Sequence, residues 1–119
     1  MTATNPVVSA YLDTWNETDP AARRALLDAH WTPAAAYTDP LADVAGADQL
    51  DATIDAVQQQ FPGFVFTPLG EPDAHHDQVR FRWGLGPAGA EPVVEGSDVV
   101  LTESGRIARV LGFLDKLPS

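Results

Sequence analysis

Three polar side chains, Tyr11, Asp39 and Asp98, are of types that move protons, and each stands beside apolar neighbours or a structural breaker. Tyr11 shares a helical face with Val7, Val8, Leu12 and Trp15, where the competing fate is a core tyrosine with a satisfied hydroxyl. Asp39 ends a short extended segment immediately before Pro40, a position where aspartate is also frequent as turn chemistry. Asp98 alternates with Val94, Gly96 and Val100, so it falls on a row shared with apolar residues. A carboxylate on a core-facing row is unusual unless it is paired or functional. The opposite row, Val93, Glu95, Ser97, Val99 and Leu101, is also partly apolar, so alternation leaves the facing open. Groups of this kind suit acid–base work, with a base near the reacting atom and donors where charge develops. A carboxyl in an apolar site resists ionisation and so becomes a donor.

Other candidates carry less. His75-His76-Asp77 has metal-ligand residue types, but adjacent side chains in an extended segment point apart, and the stretch reads as a surface loop. No metal site is expected. Trp15, Phe61, Phe81, Trp83 and Phe113 fit the apolar lining of a substrate pocket or of a core. Arg80 and Arg82 alternate against Phe81 and Trp83 and belong on an outer sheet face. His30 and Trp31 close the second helix and could cap it or reach a pocket mouth. There is no Ser-His-Asp arrangement, P-loop or dinucleotide fingerprint, and no cofactor is expected.

The elements that would position these residues punctuate themselves. Asn5-Pro6 and Asp19-Pro20 each place a capping side chain before a proline at the first helical position. The second helix runs to about His30, and Ala34 to Asp39 is a short strand. Gly46 opens a third helix with Leu50, Ile54, Val57 and Phe61 on one stripe, closed by Pro62-Gly63. Beyond it, Phe64–Thr67, Gln78–Leu85, Val93–Thr102 and Arg106–Leu114 read as strands, with a tight turn at Glu103-Ser104-Gly105 and a hairpin loop over Pro87–Pro92. Three N-terminal helices followed by an antiparallel meander make an α+β domain, with the helices packed in a curved sheet.

The bulk properties bound the function. A chain of 119 residues is one domain, with 45% hydrophobic and 20% charged residues. Without cysteine it has neither disulfides nor thiolate metal ligands. Seven basic against 17 acidic residues give a net charge of −10, which argues against nucleic acid and anionic membrane surfaces as partners. No apolar run reaches membrane-spanning length, and Met1 to Pro6 lacks a signal-peptide pattern, so a cytoplasmic protein is expected.

The element order resembles the NTF2-like superfamily over nearly the whole chain, residues 1–119 as one domain. Gly96-Ser97-Asp98-Val99-Val100, Gly105-Arg106-Ile107 and Leu111-Gly112-Phe113-Leu114-Asp115 resemble its SnoaL-like branch. A sharper likeness is to ketosteroid isomerase. Val7–Tyr11 with Asn16–Asp19 is similar to its first helix, Tyr37-Thr38-Asp39-Pro40 to its catalytic strand end, and Val93–Asp98 to the strand bearing its second oxyanion donor. The resemblance implies a cone with a pocket at its open end, Asp39 as base, and Tyr11 and neutral Asp98 as donors. It also implies a hydrophobic carbonyl-containing small molecule as substrate for isomerisation or polyketide-type cyclisation, and a homodimer. The chain departs from the isomerases in holding Thr53 and Ile54 where supporting tyrosines stand, and in a shorter segment between Pro40 and Gly46. Two alternatives remain. A non-catalytic binding or dimerisation module is common on this fold. Epoxide hydrolysis would need an arginine beside two carboxylates, for which Arg80 and Arg82 offer no Arg-x-Asp spacing.

Overall fold

The computed structural model describes residues 5–118, so the reading of Met1 to Pro6 falls largely outside the described residues. Helix α1 (Pro6–Asn16) starts where Asn5 Oδ1 accepts from the Val7 and Val8 amides at 2.9 and 3.3 Å. Helix α2 (Pro20–His30) is capped in the same way by Asp19, whose Oδ2 accepts from the Ala22 amide at 2.9 Å. Strand β1 (Trp31–Asp39) turns at Pro40-Leu41 into a four-residue strand β2 (Ala42–Ala45). Gly46, at φ +87°, then swings the chain into α3 (Ala47–Gln60). Strands β3 (Phe64–His75), β4 (Gln78–Pro87), β5 (Val94–Glu103) and β6 (Arg106–Lys116) complete the chain. The β5–β6 turn puts both Ser104 and Gly105 at positive φ, the two-residue hairpin expected from their types.

The six strands form one sheet in the order β2-β1-β6-β5-β4-β3. Two expectations are corrected. The sheet is mixed, because β1 lies parallel to β6 while every other pair is antiparallel. The helices are not a separate N-terminal block either, since β1 and β2 intervene between α2 and α3. The parallel contact follows from the return of the chain: β6, the last strand, slots between β5 and the early strand β1, closing the sheet around the helices.

One face of the sheet is the core. Val79, Phe81, Trp83 and Leu85 of β4 meet Val94 and Val100 of β5, Ile107 and Val110 of β6, and Leu50 and Ile54 of α3. Arg80 and Arg82 lie on the other face, paired with Asp73 and Glu95. Between the helices a cation is buried: Arg23, 1% exposed, donates to Asp51 at 2.6 Å, to Gln58 at 2.9 Å and to the Glu17 carbonyl at 3.0 Å. That cluster ties α2 to α3 and to the end of α1. No helix among the described residues is long and apolar enough to cross a membrane.

Candidate active site

Residues of α1, α3 and the inner sheet face line a cavity of about 180 Å³. Its wall is apolar apart from Tyr11, Tyr37, Asp39 and Gln60. Tyr11 comes from the middle of α1 and is fixed by rings on three sides. It stacks on Trp31 at 5.7 Å between centroids, meets Phe81 edge-on at 5.2 Å, and leans on Trp15 at 6.3 Å. Trp31 is therefore core and not pocket mouth, and its indole N–H donates to Thr14 at 3.1 Å.

Strand alternation explains the rest of the polar cluster. Tyr37 and Asp39 are two apart on β1 and share its inner row. The Tyr37 hydroxyl donates to Asp39 Oδ2 at 2.5 Å. Asp39 Oδ1 accepts the Leu41 and Ala42 amides, both at 2.8 Å, and so shapes the β1–β2 turn. A carboxylate has about four lone-pair sites. Three are engaged here, which leaves Oδ2 able to accept one more proton.

Asp98 lies on the inner row of β5, 2% exposed, opposite Phe81 on β4 and Gly112 on β6. The core-facing alternative for its row is the one the fold adopts. Gly112 makes this possible: a methyl placed there would meet Asp98 Oδ1 at 2.6 Å and Asp39 Cβ at 3.3 Å. The two acids thus flank a strand position that carries no side chain. Gly96 does the same for Trp83, whose ring a methyl would meet at 2.2 Å.

Burial is the main cause that lifts the Asp98 carboxyl to about 7, with the Asp39 and Asp115 charges adding to it. Tyr11 and Trp83 lie near enough to oppose that rise, yet Asp98 Oδ2 and Trp83 Nε1 find no partner in hydrogen-bond geometry. Burial pushes both phenols up, Tyr11 well above its ordinary value, with the Asp98 charge as the second cause in each. Both are neutral donors at any ordinary pH. Among the described residues the buried side-chain polar atoms without partners are Trp15 Nε1, Trp83 Nε1 and Asp98 Oδ2, all in the cavity wall or directly behind it.

Of the expected pocket residues, Trp15, Phe61 and Trp83 line the cavity together with Tyr11 and Asp39. Asp98 lies behind Tyr11, not in the wall. Phe81 also stands behind, as a buttress to the Tyr11 ring. Phe113 is corrected: it is 62% exposed and pairs with Ser97 on the outer row, because the Asp98–Gly112 register turns Leu114 inward instead. Tyr37 joins the site without having been an expected member, and its two-residue spacing from Asp39 on a strand is the signal in the sequence. This β1 tyrosine lies close enough to Tyr11 to influence its hydroxyl, and both stand in the cavity wall. His75 and His76 are exposed around the β3–β4 turn, with His76 at φ +53°.

Comparison with known proteins narrows the setting. Residues 8–110 match the model of the SnoaL-like domain. A solved SnoaL-like family protein of Agrobacterium tumefaciens, provisionally called an isomerase, is 40% identical with a TM-score of 0.86, covering 92% of this chain and 94% of its own. A protein of Sinorhizobium meliloti, provisionally called a polyketide cyclase, is 21% identical with a TM-score of 0.71, covering 94% and 95%. A Catenulispora acidiphila protein with a ketosteroid isomerase-like fold, solved with trimethylamine, is 18% identical with a TM-score of 0.73, covering 97% and 88%. None of the curated proteins matches this chain.

Proposed function

The chain belongs to the SnoaL-like domain family, and from that premise we propose that it is a cofactor-free isomerase or cyclase acting on a hydrophobic carbonyl compound through an enolate. The observation that carries this reading is the clustering of two phenols and a carboxylate in the wall of an otherwise apolar cavity, with a second carboxyl buried behind them. Asp39 is the base: its remaining lone pair on Oδ2 takes the proton α to the carbonyl, and Tyr37 and the two turn amides hold the carboxylate in place. The Tyr11 hydroxyl donates to the oxygen on which charge develops. Asp98 acts in its protonated form, donating toward Tyr11 from behind so that the phenol's own proton stays directed into the cavity. Reprotonation at a different carbon by Asp39 completes a double-bond shift; attack of the enolate carbon on a second carbonyl, with the Asp39 proton passing to the alkoxide so formed, completes a cyclisation.

Proton exchange tests this directly. Wild-type protein should exchange the α-protons of a β,γ-unsaturated ketone with D2O, followed by NMR, and Asp39→Asn should slow that exchange by about 10²–10⁴-fold while staying folded. A wild-type protein that turns over no ketone in the panel would favour a binding module. The outer face that carries Phe113 is where we place the second copy of a homodimer. Sedimentation of Phe113→Ser should then report a lighter species than wild type, and an unchanged dimer would remove that assignment.

A further inference from the structure

The cavity's size and charge restrict the substrate further than the reaction does. At about 180 Å³ it is only slightly larger than a cavity of about 150 Å³ that holds a single benzene ring. The reason is the filling of the cone by aromatic rings. Trp15, Phe66 and Trp83 interlock with centroids 5.4 Å apart for Trp15–Phe66 and again for Phe66–Trp83, and Trp83 lies against Gly96, so the floor is occupied by indole instead of ligand. Among the described residues the wall contains no Lys, Arg or His, while Asp39 stands in it and Asp98 behind it. A carboxylate, phosphate or thioester-linked phosphate carrier would meet acids and no counter-charge. At the mouth, Leu41 is 81% exposed and Leu117 60% exposed, an apolar rim along which a short alkyl tail could lie.

We infer that the substrate is a neutral carbonyl compound whose reacting part is a single ring with one or two substituent atoms, and that multi-ring ketones are excluded. This rests on the enolate reading for the carbonyl, but the size limit rests on the cavity alone. Larger apolar ligands ordinarily bind tighter because they bury more area. A rank order that favours the smallest member is therefore diagnostic.

The test uses neutral β,γ-unsaturated ketones of one, two and four fused rings. Dissociation constants are read from quenching of the cavity tryptophans, and α-proton exchange is read separately by NMR in D2O. The one-ring ketone should bind at least tenfold tighter than the four-ring ketone. Leu114→Ala, which removes wall volume, should cut the preference for the one-ring over the two-ring ketone severalfold, by weakening the first and improving the second; Phe66→Ala should shift the ratio in the same direction. Four-ring binding as tight as one-ring binding, or binding of none of the three, overturns the size limit. One-ring binding without exchange upholds the size limit and removes the isomerase reading, whereas exchange of the four-ring ketone does the reverse.

Discussion

Among the described residues two side chains that ordinarily carry charge, Arg23 and Asp98, are sealed inside this small domain, and they are treated in opposite ways. Arg23, between the helices, is given partners on every side: Asp51, Asp55, Gln58 and the Glu17 carbonyl. Asp98, behind the cavity, is left with an oxygen that no donor satisfies, and its nearest charged neighbours are the like charges of Asp39 and Asp115. A buried charge that is fully paired organises structure. A buried acid left short of partners is held near neutrality by desolvation, and native proteins keep few such groups. The difference separates the end of the molecule that holds the helices together from the end to which we assign the proposed proton chemistry. It also predicts that the two groups respond oppositely to removal.

Replacing Asp98 should produce the largest split. Burial raises its carboxyl to about 7. Because the folded-state value lies above the unfolded one, the stabilisation its proton provides is fully present below about pH 4 and is lost as pH rises through 7. Asp98→Asn, permanently neutral and nearly isosteric, should be more stable than wild type above pH 7, by up to roughly 4 kcal/mol, since its carboxyl is raised from the ordinary value to about 7 at 1.36 kcal/mol per pH unit. It should keep substantial exchange activity and lose the alkaline limb of the pH–rate profile, whereas Asp98→Ala should lose about 10²-fold or more. Chemical denaturation at pH 5 and pH 9 with rate profiles checks both; a variant less stable than wild type at pH 9 would place Asp98 with Arg23 as a structural charge.

Arg23→Met should do the reverse. It strands the partly exposed Asp51 and Asp55 and costs about 2–3 kcal/mol, less than the 3–5 of a fully buried pair. Activity per folded molecule and its pH profile should not move. A shifted profile would show that the helix cluster and the cavity are coupled, and the division drawn above would fail.

Gly112→Ala should be the subtlest probe. The added methyl has no free space beside Asp98 Oδ1 or Asp39 Cβ, so one carboxyl must shift, at about 1–3 kcal/mol. The alkaline midpoint of the rate profile should move with it. A stability loss with an unmoved midpoint would reduce Gly112 to packing.

Much of this arrangement could be read from the chain before folding it. Whereas alternation alone left the facing of Asp98 open, the helix starts at Asn5 and Asp19, the Ser104-Gly105 turn and the outward Arg80 and Arg82 all follow from local chemistry and alternation. The parallel β1–β6 contact did not, because nothing local in residues 31–39 records a partner some 70 residues away. Strand β2, four residues at the sheet edge, is too short to show a period, and β3 runs on through Pro68 and Pro72 because an edge strand tolerates prolines. Phe113 was misplaced for a related reason. Leu111 and Phe113 form as plausible an apolar row as Gly112 and Leu114, and only the need for an empty position opposite Asp98 decides the phase. Arg23 hid in plain view, one helical turn before buried Leu27 on the same face. Of the site, the residue types were visible; that Asp98 would sit behind the wall and Tyr37 within it depended on register across three strands.

The most direct measurement is a carboxyl-carbon NMR titration of the free protein, with the Asp98 resonance assigned by its absence in Asp98→Asn. The structure predicts a midpoint near pH 7, set apart from the exposed aspartates. A midpoint in the ordinary carboxylate range near pH 4 would mean that Asp98 is charged and satisfied at neutral pH, and the assignment of the cavity as a site of proton chemistry would fall with it.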